Sequence, residues 1–324
     1  MGELLFIGSC AGTFYAFNKA TGHVQWSYDI RKDGKQQSFH GDPLVTDDLI
    51  LIGTDKSCEP EGVGHVYAFE RESGKVRWKH PSTSVPTDIV QLESNVYFGS
   101  FQDKWSSADL QTGGLNWSFS TGTPNENCDP PKSPVAIGNN LFIVGLDGVV
   151  YSLDPSSGRV VWKRKLTSSP STGLAVRDKS IYVGTMDHRI YQLNAETGTV
   201  ISELTLEAKP VGRLAFANDS LLMFLENASE RVGYIISVDS KLAGIRWRQK
   251  SSPEWASERP HLWKEFVVAG NCRGGVTAFR VSDGMPQWDL NLKGCIRSIG
   301  SSGNLLFVGV QEGTIYAYGI PAKN

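Results

Sequence analysis

Apolar residues in this chain fall in short runs of about five, most of them closed by glycine and none long enough or suitably spaced for an amphipathic helix. The runs are LLFIG, LILIG, NVYFG, LFIVG, SIYVG, LLMFL, FVVAG and LLFVG. Each is followed by a second motif, first seen as AFNKATGHVQW at residues 16–26. That motif returns as AFERESGKVRW (68–78), SADLQTGGLNW (107–117), SLDPSSGRVVW (152–162), QLNAETGTVIS (192–202), SVDSKLAGIRW (237–247) and AFRVSDGMPQW (278–288). An eighth copy starts at Ala317 as AYGIPAKN. Spacings of 39 to 52 residues between copies mark a repeat fold.

Each repeat reads as four strands, lettered A to D. In the second repeat they are DPLV, LILIG, HVYAFE and KVRWKH, joined by TDD between A and B and by RESGK between C and D. Glycine in the C–D turn supplies the positive φ that a tight hairpin needs. Four-stranded antiparallel units repeated radially make an all-β, eight-bladed β-propeller, with seven blades as the alternative count. A blade cannot bury both faces alone, so the recurrent tryptophans (Trp26, Trp78, Trp117, Trp162, Trp247 and Trp288) are expected to fill the seams between blades. Blade 5 has Ser202 at that place and should pack differently there. The expected organisation is one propeller domain over residues 1–324. The first repeat opens at strand B and the last shows no strand D, which suggests a piece of a longer protein, with incomplete terminal blades as the alternative.

Composition narrows the function. The formal charge of the 324 residues is −2, and Lys and Arg are scattered, so no nucleic-acid footprint is expected. No apolar run is long enough for a transmembrane helix, and the first residues turn polar too soon for a secretory signal. Five cysteines (Cys10, Cys58, Cys128, Cys272 and Cys295) form no CxxC. Cys58 with Cys128, and Cys272 with Cys295, lie in loops near one another in the repeat order; disulfides in an oxidising compartment and free thiols are both open. His40, His65, His80, His188 and His261 show no ligand spacing, so no metal site is expected. No GxSxG nucleophile motif occurs.

The combination of an apolar run ending in Gly, then Y-A-F/L, T/S-G and Trp, resembles the tryptophan-docking repeat of pyrroloquinoline-quinone (PQQ) type propellers over essentially the whole chain. The resemblance implies one of three roles. One branch contains quinoprotein alcohol and glucose dehydrogenases, which hold PQQ and calcium at the propeller axis. A second lacks the cofactor and binds proteins; its best-known member is the outer-membrane β-barrel assembly lipoprotein. A third is fused to kinases or acyl-activating enzymes, and for this chain the missing first strand adds the alternative of a sensor or regulatory propeller domain of a larger protein. Quinoprotein alcohol dehydrogenases typically carry adjacent cysteines over the cofactor, and this chain has no Cys-Cys. The expectation is therefore a non-catalytic protein- or peptide-binding scaffold, monomeric and without cofactor. The alternative is a small PQQ-dependent oxidoreductase using calcium. The resemblance favours an extracytoplasmic location, periplasmic or secreted.

Strand order puts D–A and B–C connections on one face, with the starts of the A strands beside the axis. His40, Asp42, Asp88, Lys132, Ser133, Thr172, Arg213, Arg259 and Arg297 are thus expected at the mouth of the channel. Arginines there suit an anionic ligand, since bidentate contacts to carboxylates are easy; compensating ion pairs in a solvated channel are the plainer reading. The oxidoreductase alternative would use Arg213, Arg259 or Arg297 for the quinone and Asp42 or Asp88 for the cation. Trp105 and Trp255 fall outside the docking register in long loops, and are expected to anchor a partner or to form lids on their own blades.

Overall fold

The computed structural model describes residues 3–56, 63–126, 129–251 and 259–319. Among them lie eight antiparallel meanders and a single 3-10 helix, Ile30–Asp33. Blades 2 to 7 have four strands each. Blade 1 shows three, Leu4–Gly8, Thr13–Asn18 and Val24–Asp29, equivalent to B, C and D. Blade 8 also shows three, Ile296–Ser302, Leu305–Val310 and Ile315–Gly319, equivalent to A, B and C. The fold class is all-β, an eight-bladed β-propeller.

The chain forms two compact units. One contains Met1–Lys165 with Ala195–Gly198, and the other Leu166–Asn194 with Thr199–Asn324. In the first unit the A strands of blades 3 and 4 (Val90–Leu92 and Val135–Ile137) are neighbours. In the second, the A strands of blades 5 to 8 follow one another side by side, with a parallel bridge between Thr172 and Gly212 at the start of the series. This places strand A innermost and strand D outermost within each unit.

The tryptophans of five D strands dock on the C–D turn of the next blade. Trp26 Nε1 donates to the Arg71 carbonyl (3.0 Å), Trp78 to Leu110 (3.0 Å), Trp117 to Pro155 (2.8 Å), Trp162 to Ala195 (3.1 Å) and Trp247 to Val281 (2.7 Å). The acceptor is always three residues before a glycine, and the indole lies on that glycine. A Cβ at Gly74, Gly113, Gly158, Gly198 or Gly284 would sit within 2.4–2.6 Å of indole carbons, and each of these residues has φ between 67° and 72°. Glycine is required here twice over, by the backbone and by the ring.

At blade 5 the pair is exchanged. Ser202 replaces the tryptophan, and Ala243 stands where the next turn would carry its glycine. Leu242, at φ 59° and 4% exposed, fills the seam among Ile190, Leu206, Ala208 and Ile236. Tyr182 Oη donates to the Ser240 carbonyl, the acceptor an indole would have used (2.7 Å). The different packing expected at Ser202 is therefore present. Trp288 sits in the seam between blades 7 and 8, edge-on to Trp263 with centroids 6.3 Å apart.

Two B–C turns are tight. Around Trp105, strands Asn95–Ser100 and Lys104–Asp109 leave three residues between them, with Asp103 at φ 55°. In blade 6, Ser220–Asn227 and Val232–Asp239 pair almost to the turn.

Candidate functional site

Within each unit, D–A connections are clasped to B–C turns, so the two kinds of loop share one face. In the first unit this rests on buried carboxylates. Asp55, on the B–C side of blade 2 and fully buried, bonds Ser38 Oγ and His40 Nδ1 from the connection between blades 1 and 2. Its carbonyl also accepts from Gln37 N (2.8 Å). Beside it, Gln36 Nε2 donates to Tyr67 Oη (2.8 Å), and Gln36 Oε1 pairs with His65 Nδ1 (3.1 Å). Tyr28 and Tyr67 both donate to Asp33 Oδ2 (2.6 and 3.0 Å). Burial, then that carboxylate, raise both phenols well above their ordinary range. In blade 3, Asp103 is 2% exposed and accepts from Ser120 Oγ (3.0 Å), Thr121 Oγ1 (2.6 Å) and Thr123 N (3.3 Å). Buried carboxylates need such partners, and these tie one loop to another.

The second unit uses related means. Thr167 Oγ1 donates to Asp187 Oδ2 (2.8 Å), and Met186 N donates to the Ser169 carbonyl (2.9 Å). Cys272, in the B–C turn of blade 7, is disulfide-bonded to Cys295 at the start of blade 8. Cys10 is a free, exposed thiol, and Cys58 and Cys128 lie outside the described residues. The recurring acids Asp55, Asp103 and Asp187 were not among the expected site residues. Their signal was an Asp two to four positions after the glycine of strand B.

The expected mouth residues divide between the units. In the first, Asp42 N donates to Asp88 Oδ1 (2.7 Å) and Asp88 N to Ser133 Oγ (3.1 Å), which stitches together the starts of blades 2, 3 and 4. The His40 side chain is half exposed while its Asp55 partner is buried. Lys132 is half-buried just before these starts. In the second unit, Arg259 is exposed ahead of strand His261–Trp263, and Arg297 is exposed with Nη2 donating to Gln311 Oε1 (2.9 Å). Thr172 is fully buried, its hydroxyl accepting from Gly184 N (2.9 Å). Arg213 departs from expectation. It lies inside strand Lys209–Ala217, at an irregularity between Val211 and Ala215, because the strand starts early by pairing Lys209–Val211 with Phe224–Glu226.

Trp105 is a correction. It is the second residue of strand Lys104–Asp109 and 1% exposed, packed among Tyr97, Leu141, Ile143 and Tyr151 in the seam between blades 3 and 4. Strand pairing sets it opposite Gly99, whose missing side chain makes room for the ring. It cannot reach a partner at the loop face. Trp255 lies outside the described residues.

Among the described residues no group of three or more His, Cys, Asp or Glu side chains could hold a metal ion. No helix of the described residues is long and apolar enough to cross a membrane.

The family described as "Outer membrane protein assembly factor BamB" matches residues 1–148 and again 146–295. The chain belongs to this PQQ-like repeat family. It is 26% identical to the outer membrane protein assembly factor BamB of Vibrio cholerae over 156 residues, 44% of this chain and 38% of that protein. With BamB of Shewanella oneidensis it shares 24% identity over 206 residues, 60% of this chain and 49% of that protein. The quinoprotein alcohol dehydrogenase PedH of Pseudomonas putida is 25% identical over 190 residues, 53% of this chain and 30% of the enzyme. The matched stretches thus span about half or less of these relatives. The crystal structure of BamB from Moraxella catarrhalis superposes with a TM-score of 0.79 at 16% identity, covering 99% of this chain and 95% of that one. The quinohemoprotein alcohol dehydrogenase of Comamonas testosteroni gives 0.73 at 11% identity, covering 95% of this chain and 69% of that one. Both likenesses concern the fold.

Proposed function

We propose that the chain is a non-catalytic PQQ-like propeller that binds a protein or peptide through its D–A/B–C loop face. The observation that carries this reading is the clasping of that face by buried Asp55 and Asp103 and by the Cys272–Cys295 bridge. Loops held rigidly on a sheet scaffold present a pre-organised surface, which lowers the entropy cost of binding. The named assembly factors among its relatives support a scaffold role. The disulfide supports an oxidising, extracytoplasmic setting. The scaffold acts as a monomer and without cofactor.

Two measurements test it. A photo-crosslinking residue at exposed Gln102 or Arg273, on the loop face, is expected to capture a protein partner, while one at Val161 on an outer strand is not. Capture from Val161 alone would reject the face. Titration with PQQ and calcium is expected to give no saturable change in absorbance, and no dye-linked alcohol or sugar oxidation should follow. Stoichiometric PQQ uptake would replace this reading with the oxidoreductase.

A further inference from the structure

In the second unit, Cys272 and Cys295 join two loop segments of the kind that blades 2, 3 and 5 join by hydrogen bonds. Asp55 and Asp187, in B–C turns, hold a serine or threonine of the preceding connection, and Asp103 holds Ser120 and Thr121 of the following one. In blade 7 the residue two positions after the strand B glycine is Cys272, after Gly270, where blade 2 has Asp55 after Gly53. Its partner Cys295 lies on the connection that follows. A hydrogen-bonded clasp carries no redox chemistry; a disulfide has a closed and an open state that differ by two electrons and two protons.

The surroundings of this bond suit reversible opening. Cys272 is exposed, whereas Cys295 is buried at 9% exposure, so a thiolate arriving from solvent meets the sulfur of Cys272. The backbone holds the two segments together independently of the sulfurs: Ile296 N donates to the Asn271 carbonyl (3.2 Å) and Leu292 N to the Gly274 carbonyl (2.8 Å). Asn271 Oδ1 fixes the turn itself by accepting from Arg273 N (2.9 Å) and Gly275 N (3.0 Å). Opening the bond therefore leaves two thiols on neighbouring, anchored segments, placed to close again. Exposed cations flank both positions along the chain, Arg273 next to Cys272, and Lys293 and Arg297 two residues to either side of Cys295. The Glu312 carboxylate, which occupies the place of a side chain at Gly294, offsets one of them. Positive charge beside a cysteine favours thiolate over thiol, the form that attacks and leaves in exchange.

We infer that the Cys272–Cys295 bond is a thiol–disulfide exchange site whose substrate is a dithiol, with Cys272 as the sulfur attacked and Cys295 as the leaving and resolving thiol. One thiolate of the dithiol attacks Cys272 Sγ; the bond between the two Sγ atoms breaks, and its electron pair leaves on Cys295. The second thiolate then attacks its own partner sulfur in the mixed disulfide and releases Cys272. The dithiol is oxidised to a disulfide, the protein bond is reduced to two thiols, and the two protons of the dithiol end on them. In the reverse direction the Cys272 thiolate attacks a substrate disulfide and Cys295 resolves the mixed intermediate. This site rests on the bond and its surroundings, and not on partner binding at the loop face.

The probe is dithiothreitol, added to the intact folded chain without denaturant. Maleimide mass-tagging with peptide mapping reads each cysteine separately and keeps the free thiol of Cys10 as an internal reference. Both Cys272 and Cys295 are expected to become tagged while the thermal transition is retained, and to close again when oxidised glutathione replaces the dithiothreitol. A bond that opens only after denaturant has unfolded the chain is purely structural and overturns the proposal. The order of attack is read in a Cys295→Ser chain, where Cys272 should form a mixed disulfide with oxidised glutathione at least about tenfold faster than exposed Cys10 of the same molecule. Reaction of Cys272 no faster than that of Cys10 overturns the proposal, as does faster modification of Cys295 in a Cys272→Ser chain.

Discussion

The seams of this propeller are decided by pairs of residues far apart in sequence. At Gly74, Gly113, Gly158, Gly198 and Gly284 the turn glycine faces a tryptophan of the preceding blade; where the turn has Ala243, the preceding blade has Ser202. The reason is steric, since a methyl group at the docked glycine would occupy the ring's own space. Ser202→Trp alone is therefore expected to destabilise the chain by about 1–3 kcal/mol through overpacking. Adding Ala243→Gly should recover a large part of that, read as non-additivity in urea melts. Equal losses in the single and double variants would disprove the coupling. Trp105, buried against Gly99, should behave as a core residue, and Trp105→Ala is expected to cost about 3–5 kcal/mol. A change near zero in the denaturation midpoint would return it to the surface.

At the scale of an element, blade 2 concentrates the titratable groups. Its A strand is only Leu44–Val45, while its C and D strands, Val63–Glu70 and Val76–Thr83, carry His65 and His80. Burial first, then the Lys79 ammonium, hold His65 below the ordinary imidazole value, with Asp33 acting the other way. Burial also lowers His80, against a hydrogen bond with the Gly113 backbone. The unfolded chain thus takes up these protons at higher pH than the folded one. Their contribution to stability is complete above about pH 6.5 and declines as the pH falls below it. Burial raises the Asp33 carboxyl, but bonds from Tyr28, Tyr67 and Lys79 outweigh this and leave it below its usual value. Its contribution is present above about pH 4 and is lost on further acidification. Urea midpoints are expected to fall between about pH 7 and pH 5, and a His65→Gln, His80→Phe chain to show a flatter profile. An unaltered slope would mean that neither imidazole is held neutral by burial.

For the whole molecule, stability is a sum of neighbouring seams, as in repeat proteins generally. Trp78 packs with Leu49, Leu51 and Val96 in one cluster, and Trp247 with Leu222, Phe224 and Val267 in another, with no member shared. Losses from Trp78→Ala and Trp247→Ala should therefore add to within about 0.5 kcal/mol. A larger departure would show coupling beyond nearest seams. The family relationship has the same modular character, since the match restarts within the chain at residue 146. The sites were read less completely than the fold. Asp42, Asp88 and Arg259 lie just ahead of their A strands, whereas Arg213 lies inside one, because that irregular strand begins earlier, at Lys209.

Periodicity alone determined the eight repeats, the four-strand unit, and the place of tryptophan in the seams. These are local features, fixed by spacing within one repeat and by turn chemistry. Only the folded chain decided that Asp55 and Asp103 are buried anchors, that Cys272 meets Cys295, that Leu242 fills the seam beside Ser202, and that Trp105 points inward. Each depends on loops or sheets brought together across many residues, and such contacts are chosen by stacking and burial, which leave no period in the sequence.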